Sequence, residues 1–382
     1  MMTRGSLPAC AVSILGAMLL ALCPSLVAAD DGEDLGAALE VLVEMAGGPP
    51  GGIAIVQRGD TLRVYSAGVG NLATGRVLLP IDHMRIASTA KAFSGAVALA
   101  LVDQGVLGLD DTIGKWLPAL PPAWSAVTLT QLLQHTSGLP DFLDSPGIRH
   151  LLETQPTVPI APSQLLTFVY DKDLEFPPGS KYQYSNSDNI AVGLMVRAAT
   201  LRGYKHALST EVSEPLGLGQ TSLPDDTSIP APYVRGYQMT VVPPEDVSQA
   251  FAASYAWASG GMVSTPLDMN RFIRGYVGGA LFGPDAQAAQ RRFIKGAGSE
   301  PPGPGVNSAG LALFRYKTPC GKMFGHTGNI PGYTQFMAAS TDGSRSVVVS
   351  INTQLRPDLD PVAFAQLLHV EELAVCAALA DP

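Results

Sequence analysis

Ser88 and Lys91 stand three residues apart at the start of a long apolar run that contains no proline. The run 88–104 reads as a helix stopped by Gly105, and residues three apart share one face of a helix. Ala96, Val97, Ala98, Leu99, Ala100, Leu101 and Val102 follow one another without a polar break. A helix apolar nearly all round is buried on most sides. Burial lowers a lysine pKa until the amine can accept a proton, and an amine beside a hydroxyl makes a serine nucleophilic without a histidine. The plainer alternative is a solvated or salt-bridged lysine, which the apolar neighbours disfavour.

Two further groups would complete such a site. Tyr184-Ser185-Asn186 sets a phenol two residues from an amide. A tyrosine near cations has a lowered pKa and serves as acid or base, and the amide would orient a substrate carbonyl. The alternative is that Tyr182 and Tyr184 simply pack under a loop. His326-Thr327-Gly328 ends a predicted strand, 321–326. Gly328 lets a substrate lie against the backbone, while His326 and Thr327 would aim donors at an anionic group. A Ser-His-Asp triad competes weakly. The chain has no Gly-x-Ser-x-Gly elbow, and His135 lies in a helix-ending turn of small residues, a structural place.

The elements that must position these groups follow from periodicity. Helix is expected over 34–45, 128–135, 162–170, 190–201, 211–216, 265–276 and 360–379, besides 88–104. Strands are expected over 53–57, 62–67, 311–316, 321–326, 333–340 and 346–352, with a Gly/Pro-rich exposed loop at 296–307. Strands thus fall at both ends and helices in the middle. The economical architecture is α+β: an antiparallel sheet built from both termini, flanked by helices, with a mostly helical subdomain inserted. The sheet subdomain is expected at about 30–87 and 305–382, and the helical one at about 88–304.

Composition bounds the partners. The 382 residues carry a formal net charge of −9, which argues against nucleic acid. Residues 1–29 read as a secretory signal: Arg4, the apolar run 11–22, then Val27-Ala28-Ala29 before Asp30. A lipid anchor at Cys23 is the rival, disfavoured by the bulky Leu22 before it. No stretch after the signal reads as a transmembrane span, so an exported protein, periplasmic or secreted, is expected. Cys320 and Cys376 remain in the mature chain. An even pair in an oxidising compartment points to a disulfide, with two buried thiols as the alternative. No His/Cys cluster has metal-ligand spacing, so no metal and no cofactor are expected.

Taken together, Ser88-Thr89-Ala90-Lys91, Tyr184-Ser185-Asn186 and His326-Thr327-Gly328 resemble the serine β-lactamase-like family. The branch is that of class C β-lactamases and exported D-alanyl-D-alanine carboxypeptidases. The segments 132–139, 214–218 and 258–264 also look like family signatures. The resemblance implies a β-lactamase/transpeptidase-like fold and acyl transfer through Ser88, with Lys91 and Tyr184 moving protons. It implies an oxyanion hole from the backbone N–H groups of Ser88 and Asn329. Asn186 would hold the acyl amide, Trp257 would line the acyl pocket, and His326 and Thr327 would face the substrate carboxylate or leaving group. Ser187-Asp188-Asn189 imitates the Ser-Asp-Asn element of class A β-lactamases, but Ser187 reads as a helix N-cap.

Two positions depart from the branch. His326 replaces the lysine of most class C enzymes, so turnover of carboxylate-bearing substrates is expected to decline as pH rises through the histidine pKa. Phe314, with Arg315 beside it, occupies the place of the carboxypeptidases' carboxylate-binding arginine. A D-alanyl-D-alanine carboxypeptidase-like enzyme acting on a small molecule or peptide, such as a peptidoglycan stem peptide or a β-lactam, is the first expectation. An esterase, another amidase or a weak β-lactamase on the same scaffold is the second, and a penicillin or peptidoglycan sensor with little turnover is the third.

Overall fold

Ile53, Ala54, Ile55 and Val56 are all buried, as expected of a strand covered on both faces. They belong to β1 (Gly51–Arg58), which turns at Gly59 into β2 (Thr61–Gly68). The other side of β1 takes a strand from the far end of the chain. The computed structural model describes residues 31–380, and the signal-peptide and lipid-anchor readings lie outside the described residues. The remaining strands of the main sheet are β3 (Ile294–Lys295), β4 (Val306–Ala309), β5 (Phe314–Thr318), β6 (Gly321–Ile330), β7 (Tyr333–Ala339) and β8 (Arg345–Ile351). They form an eight-stranded sheet in the order β2-β1-β8-β7-β6-β5-β4-β3, with every neighbouring pair antiparallel.

The helices that bear on the site are α1 (Asp31–Glu44), α2 (Ala90–Asp103), α3 (Asn186–Thr200), α4 (Pro266–Gly278) and α5 (Pro361–Leu379). On one face of the sheet α1 and α5 bury Leu35, Leu39, Leu42, Phe364, Leu367 and Val370 against Phe336, Val347 and Val349. On the other face lies the larger core, with α2 at its centre: every residue from Ala90 to Leu101 is buried. Burying one such side chain fully is worth about 1.5–3 kcal/mol, so Phe93, Val97 and Leu99 lock in place the helix that carries Lys91. Close approach is part of the design. A Cβ at Gly95 would stand 2.1 Å from the Ala312 Cβ. The fold is the α+β arrangement expected: an antiparallel sheet from both ends, flanked by helices, with the mostly helical middle of the chain packed against it.

Several boundaries move. The strand expected over 311–316 begins only at Phe314, as β5, because Gly310 N donates to Leu313 O at 2.7 Å and closes a turn there. β4, before that turn, is not among the expected strands: it starts inside the 296–307 segment and lacks apolar alternation. The helix expected from 190 starts at Asn186, so Ser187 is no N-cap. Instead the Ser187 hydroxyl donates to Pro140 O at 2.7 Å and accepts from Phe142 N at 3.0 Å. The segment expected as helix over 211–216 is the tail of Tyr204–Leu208, continued by a π turn at Ser209–Ser213. The 296–307 loop is not simply exposed. Ala297, Ser299, Pro301, Gly303 and Pro304 are buried, and the Asn307 side chain bonds the Gly303 backbone in both directions.

Helix α5 also corrects an expectation, since its 19 residues are long and apolar enough to cross a membrane. Here its apolar side lies on the sheet. Cys376 near its end is joined to Cys320, at the β5–β6 turn, with the Cα atoms 5.2 Å apart.

Candidate active site

Ser88 is presented on a strained turn. Ala87, just before it, has φ of 51°, a left-handed conformation that non-glycine residues rarely adopt and that clusters at functional sites. Ala87–Thr89 form one 3-10 turn that runs straight into α2, and the Thr89 hydroxyl pins it by donating to Ile86 O at 2.6 Å. Ser88 is half-buried.

Lys91 is fully buried. Its Nζ lies 3.0 Å from Ser88 Oγ, 2.8 Å from Asn186 Oδ1 and 2.7 Å from Ser259 O. Two of those partners, a carbonyl and an amide oxygen, can only accept. A neutral amine therefore spends its two N–H bonds on Asn186 and Ser259 and turns its lone pair to Ser88 Oγ–H. Burial pushes the Lys91 pKa down to about 7, against the pull of Asp141, Asp188 and Glu300. The neutral form is thus accessible near neutrality, at a distance suited to proton transfer.

Asn186 begins α3, and Asp141 fixes it. Asp141 Oδ2 accepts from Asn186 N at 2.9 Å and from Asn186 Nδ2 at 2.8 Å, which turns the amide oxygen toward Lys91. Sequence reasoning missed Asp141. Its other oxygen caps the short turn Phe142–Asp144, a role its type could suggest, but nothing local indicates the reach to Asn186. Sequence reasoning also missed the Ser259 carbonyl.

Tyr184 is buried, with Lys91 Nζ 4.9 Å from its ring centroid. Its hydroxyl has no hydrogen bond of ordinary geometry. Burial raises its pKa well above 10, only partly offset by Ser88 beside it. The lowered pKa expected from nearby cations is therefore corrected: a single lysine that is itself half neutral does not outweigh desolvation. Tyr184 is a protonated phenol, suited to giving a proton.

The third group lies on β6, across from Ser88. A Cβ at Gly328 would meet Ile86 O at 2.7 Å and Ser88 N at 3.0 Å. Only glycine lets β6 come this close to the nucleophile's own N–H. Beyond Gly325, paired with Phe314, β6 has no β5 partner, and at Gly328 this edge lies against the Ser88 turn. Half-buried Asn329 is on this edge, its side chain tied back to Leu355 O at 2.6 Å.

The other members differ from expectation. His326 is fully buried, with Phe314 edge-on at 4.9 Å. Its Nδ1 bonds Thr327 O, while Nε2 has no partner. Burial, reinforced by Lys91, pushes its pKa down to about 3. A charge on His326 is therefore not expected at ordinary pH, which removes the reason for a pH dependence through it. The Thr327 hydroxyl is taken by Pro301 O at 2.6 Å. Trp257 is buried against Tyr204, ring centroids 4.9 Å apart, and against Gly193.

Comparison with known proteins gives the family. A profile of the Beta-lactamase family matches residues 36–371. A penicillin-binding protein of Bacillus subtilis (strain 168) is 24% identical over 342 residues, 84% of this chain and 72% of its own. Esterase EstB of Burkholderia gladioli is 28% identical over 290 residues, 67% of this chain and 73% of its own. The crystal structure of a D-stereospecific amidohydrolase from a Streptomyces species superposes with a TM-score of 0.77 at 27% identity, covering 89% of this chain and 98% of that one. The chain belongs to the Beta-lactamase family, a family of serine hydrolases of penicillin-binding-protein, esterase and amidase type.

Proposed function

We propose that this chain is an exported acyl-enzyme hydrolase acting through Ser88 on an ester or amide whose leaving group carries no negative charge. The observation that carries the reading is the three-fold setting of Lys91 Nζ, whose acceptors leave only its lone pair for Ser88. Lys91 takes the Ser88 proton as Oγ attacks the carbonyl carbon, and the tetrahedral oxyanion turns to the Ser88 and Asn329 N–H groups. Tyr184 gives its proton to the departing oxygen or nitrogen, and the phenolate left behind recovers one from Lys91. Water then attacks the acyl-enzyme by the reverse relay, releasing the acid and free Ser88. Asn186 orients the acyl carbonyl side.

The leaving-group side argues against a carboxypeptidase. A neutral His326, an apolar Phe314 over it and a Thr327 hydroxyl bonded to Pro301 O offer no charged partner to a terminal carboxylate. Burial raises the Asp141 carboxyl, and burial with Asp141 nearby raises that of Glu300; both act on Lys91 as negative charges, the wrong sign for a terminal carboxylate. Likeness to an esterase and to an amidohydrolase supports the same choice. The apolar run 11–22 and the cysteine pair support export.

The test compares kcat/KM for a short-chain alkyl ester, an amino acid amide and a peptide ending in D-Ala-D-Ala. A missing charge-assisted contact is worth about 1.5–3 kcal/mol, so the peptide should be the poorest substrate by at least about tenfold. A preference for the peptide, or hydrolysis unchanged in Ser88→Ala, would sink the reading. Stable labelling by a fluorescent penicillin without turnover would favour a sensor instead.

A further inference from the structure

The segment 132–139 and the Ser187-Asp188-Asn189 triplet take no part in the chemistry above, yet they meet directly behind Tyr184. His135 Nδ1 is 2.8 Å from Asp188 Oδ2, and the Ser137 hydroxyl donates to the other Asp188 oxygen. All three residues are buried. Burial pushes the His135 pKa down to about 3 and the Asp188 carboxyl up, so the pair shares one proton and the imidazole stays uncharged. Asn189 Nδ2 donates to Ser94 Oγ at 2.7 Å, which ties α3 to α2 one turn beyond Lys91.

His135 brackets the tyrosine. Its carbonyl accepts from Gln183 N at 2.9 Å, and Ser185 N points at its Nδ1 at 3.5 Å. Between those two anchors the imidazole lies against the Tyr184 ring, centroids 4.5 Å apart and planes 35° from parallel. To make this contact His135 holds φ of 55°, a conformation few side chains tolerate. The Tyr184 hydroxyl has Ser88 beside it but no hydrogen bond of ordinary geometry, so ring packing bears on where the phenol points.

We infer that His135 is a positioning residue for Tyr184, and that Asp188 acts by holding the His135 ring. The inference rests on Tyr184 being the acid that protonates the leaving group. The alignment of a proton donor matters strongly: a misplacement of about 1 Å costs about 100-fold.

The test exploits leaving groups. An alkoxide needs the tyrosine proton on departure, whereas p-nitrophenolate leaves without it. His135→Asn keeps a residue suited to positive φ and an amide N–H for Asp188, but removes the ring. The readout is the ratio of kcat/KM for an ethyl ester to that for the p-nitrophenyl ester of the same acid. Both are measured on one sample, so the folded fraction cancels. The expected result is a fall in this ratio of about 100-fold, the scale of general acid catalysis. Asp188→Ala should lower the ratio similarly, and the double variant no further, as for coupled neighbours. Should His135→Asn fail to fold, Asp188→Ala read the same way decides. A ratio within about threefold of wild type in the folded variant, or additive losses in the double variant, overturns the inference. If wild-type protein hydrolyses neither ester, the proposed function fails instead.

Discussion

Lys91 Nζ is 3.0 Å from Ser88 Oγ, and its other two partners are oxygens that can only accept. On the proposed mechanism, protonation of the lysine decides whether the serine is a nucleophile. A buried amine is tunable in a way that an exposed one is not. Desolvation brings the Lys91 pKa to about 7, while the carboxylates of Asp141, Asp188 and Glu300 keep it from falling further.

Gly328→Ala should cripple turnover without unfolding the protein. The added methyl would stand 2.7 Å from Ile86 O and 3.0 Å from Ser88 N, so β6 must withdraw from the nucleophile. A shift on the order of 1 Å lowers kcat about 100-fold. Steady-state kinetics beside a thermal melt checks it, and unchanged kcat would show that this approach is not used.

His326 should not titrate in the working range. Its folded pKa lies near 3, below the ordinary 6.5, so the ring is uncharged from pH 5 upward. Its imidazole resonance in a proton NMR titration should hold still between pH 5 and 8. A half-step near pH 6.5 would restore a switchable cation facing the substrate.

Glu300 should discriminate substrates by charge. It is exposed between buried Ser299 and Pro301 and adds to the field at Lys91. For an acyl donor bearing a free ammonium, Glu300→Gln is expected to raise KM by about 1.5- to 5-fold, the scale of a partly screened charge contact. KM for the acetylated counterpart should stay the same. Equal shifts for the two donors would deny the residue this role.

Loss of the disulfide should affect stability and not catalysis. It joins the end of α5 to the β5–β6 turn across a sequence separation of 56. Cys320→Ser with Cys376→Ser should lose about 2–4 kcal/mol of stability, seen as a lower Tm, with kcat per folded molecule unchanged. A melting temperature equal to that of wild type would contradict it.

Much of this site is legible in the chain because its signals are local. Ser88 and Lys91 sit at helical spacing in an apolar run, and the run is buried from Ala90 to Leu101. The strands and terminal helices show their periodicity directly. What stays hidden depends on distant contacts. Asp141 reaches Asn186 only because the Phe142–Asp144 turn packs beside the start of α3. Tyr184 looks activated by cations until its full burial is known, and His326 looks like a switch until Phe314 covers it. The packing of the Trp257 ring onto Tyr204 is likewise invisible in its position along the chain. The strain at Ala87 has no sequence signature at all.

The central claim, that neutral Lys91 activates Ser88, is tested most directly by the pH dependence of Ser88 acylation, read as kcat/KM for an uncharged p-nitrophenyl ester. A group active only when unprotonated gives a rate that rises tenfold per pH unit and levels off above its pKa, here about 7. Lys91→Arg, permanently charged, should abolish acylation, and Lys91→Ala should remove the limb along with most of the rate. A wild-type rate flat from pH 5 to 9, or an acid limb that survives unchanged in Lys91→Ala, would contradict the account.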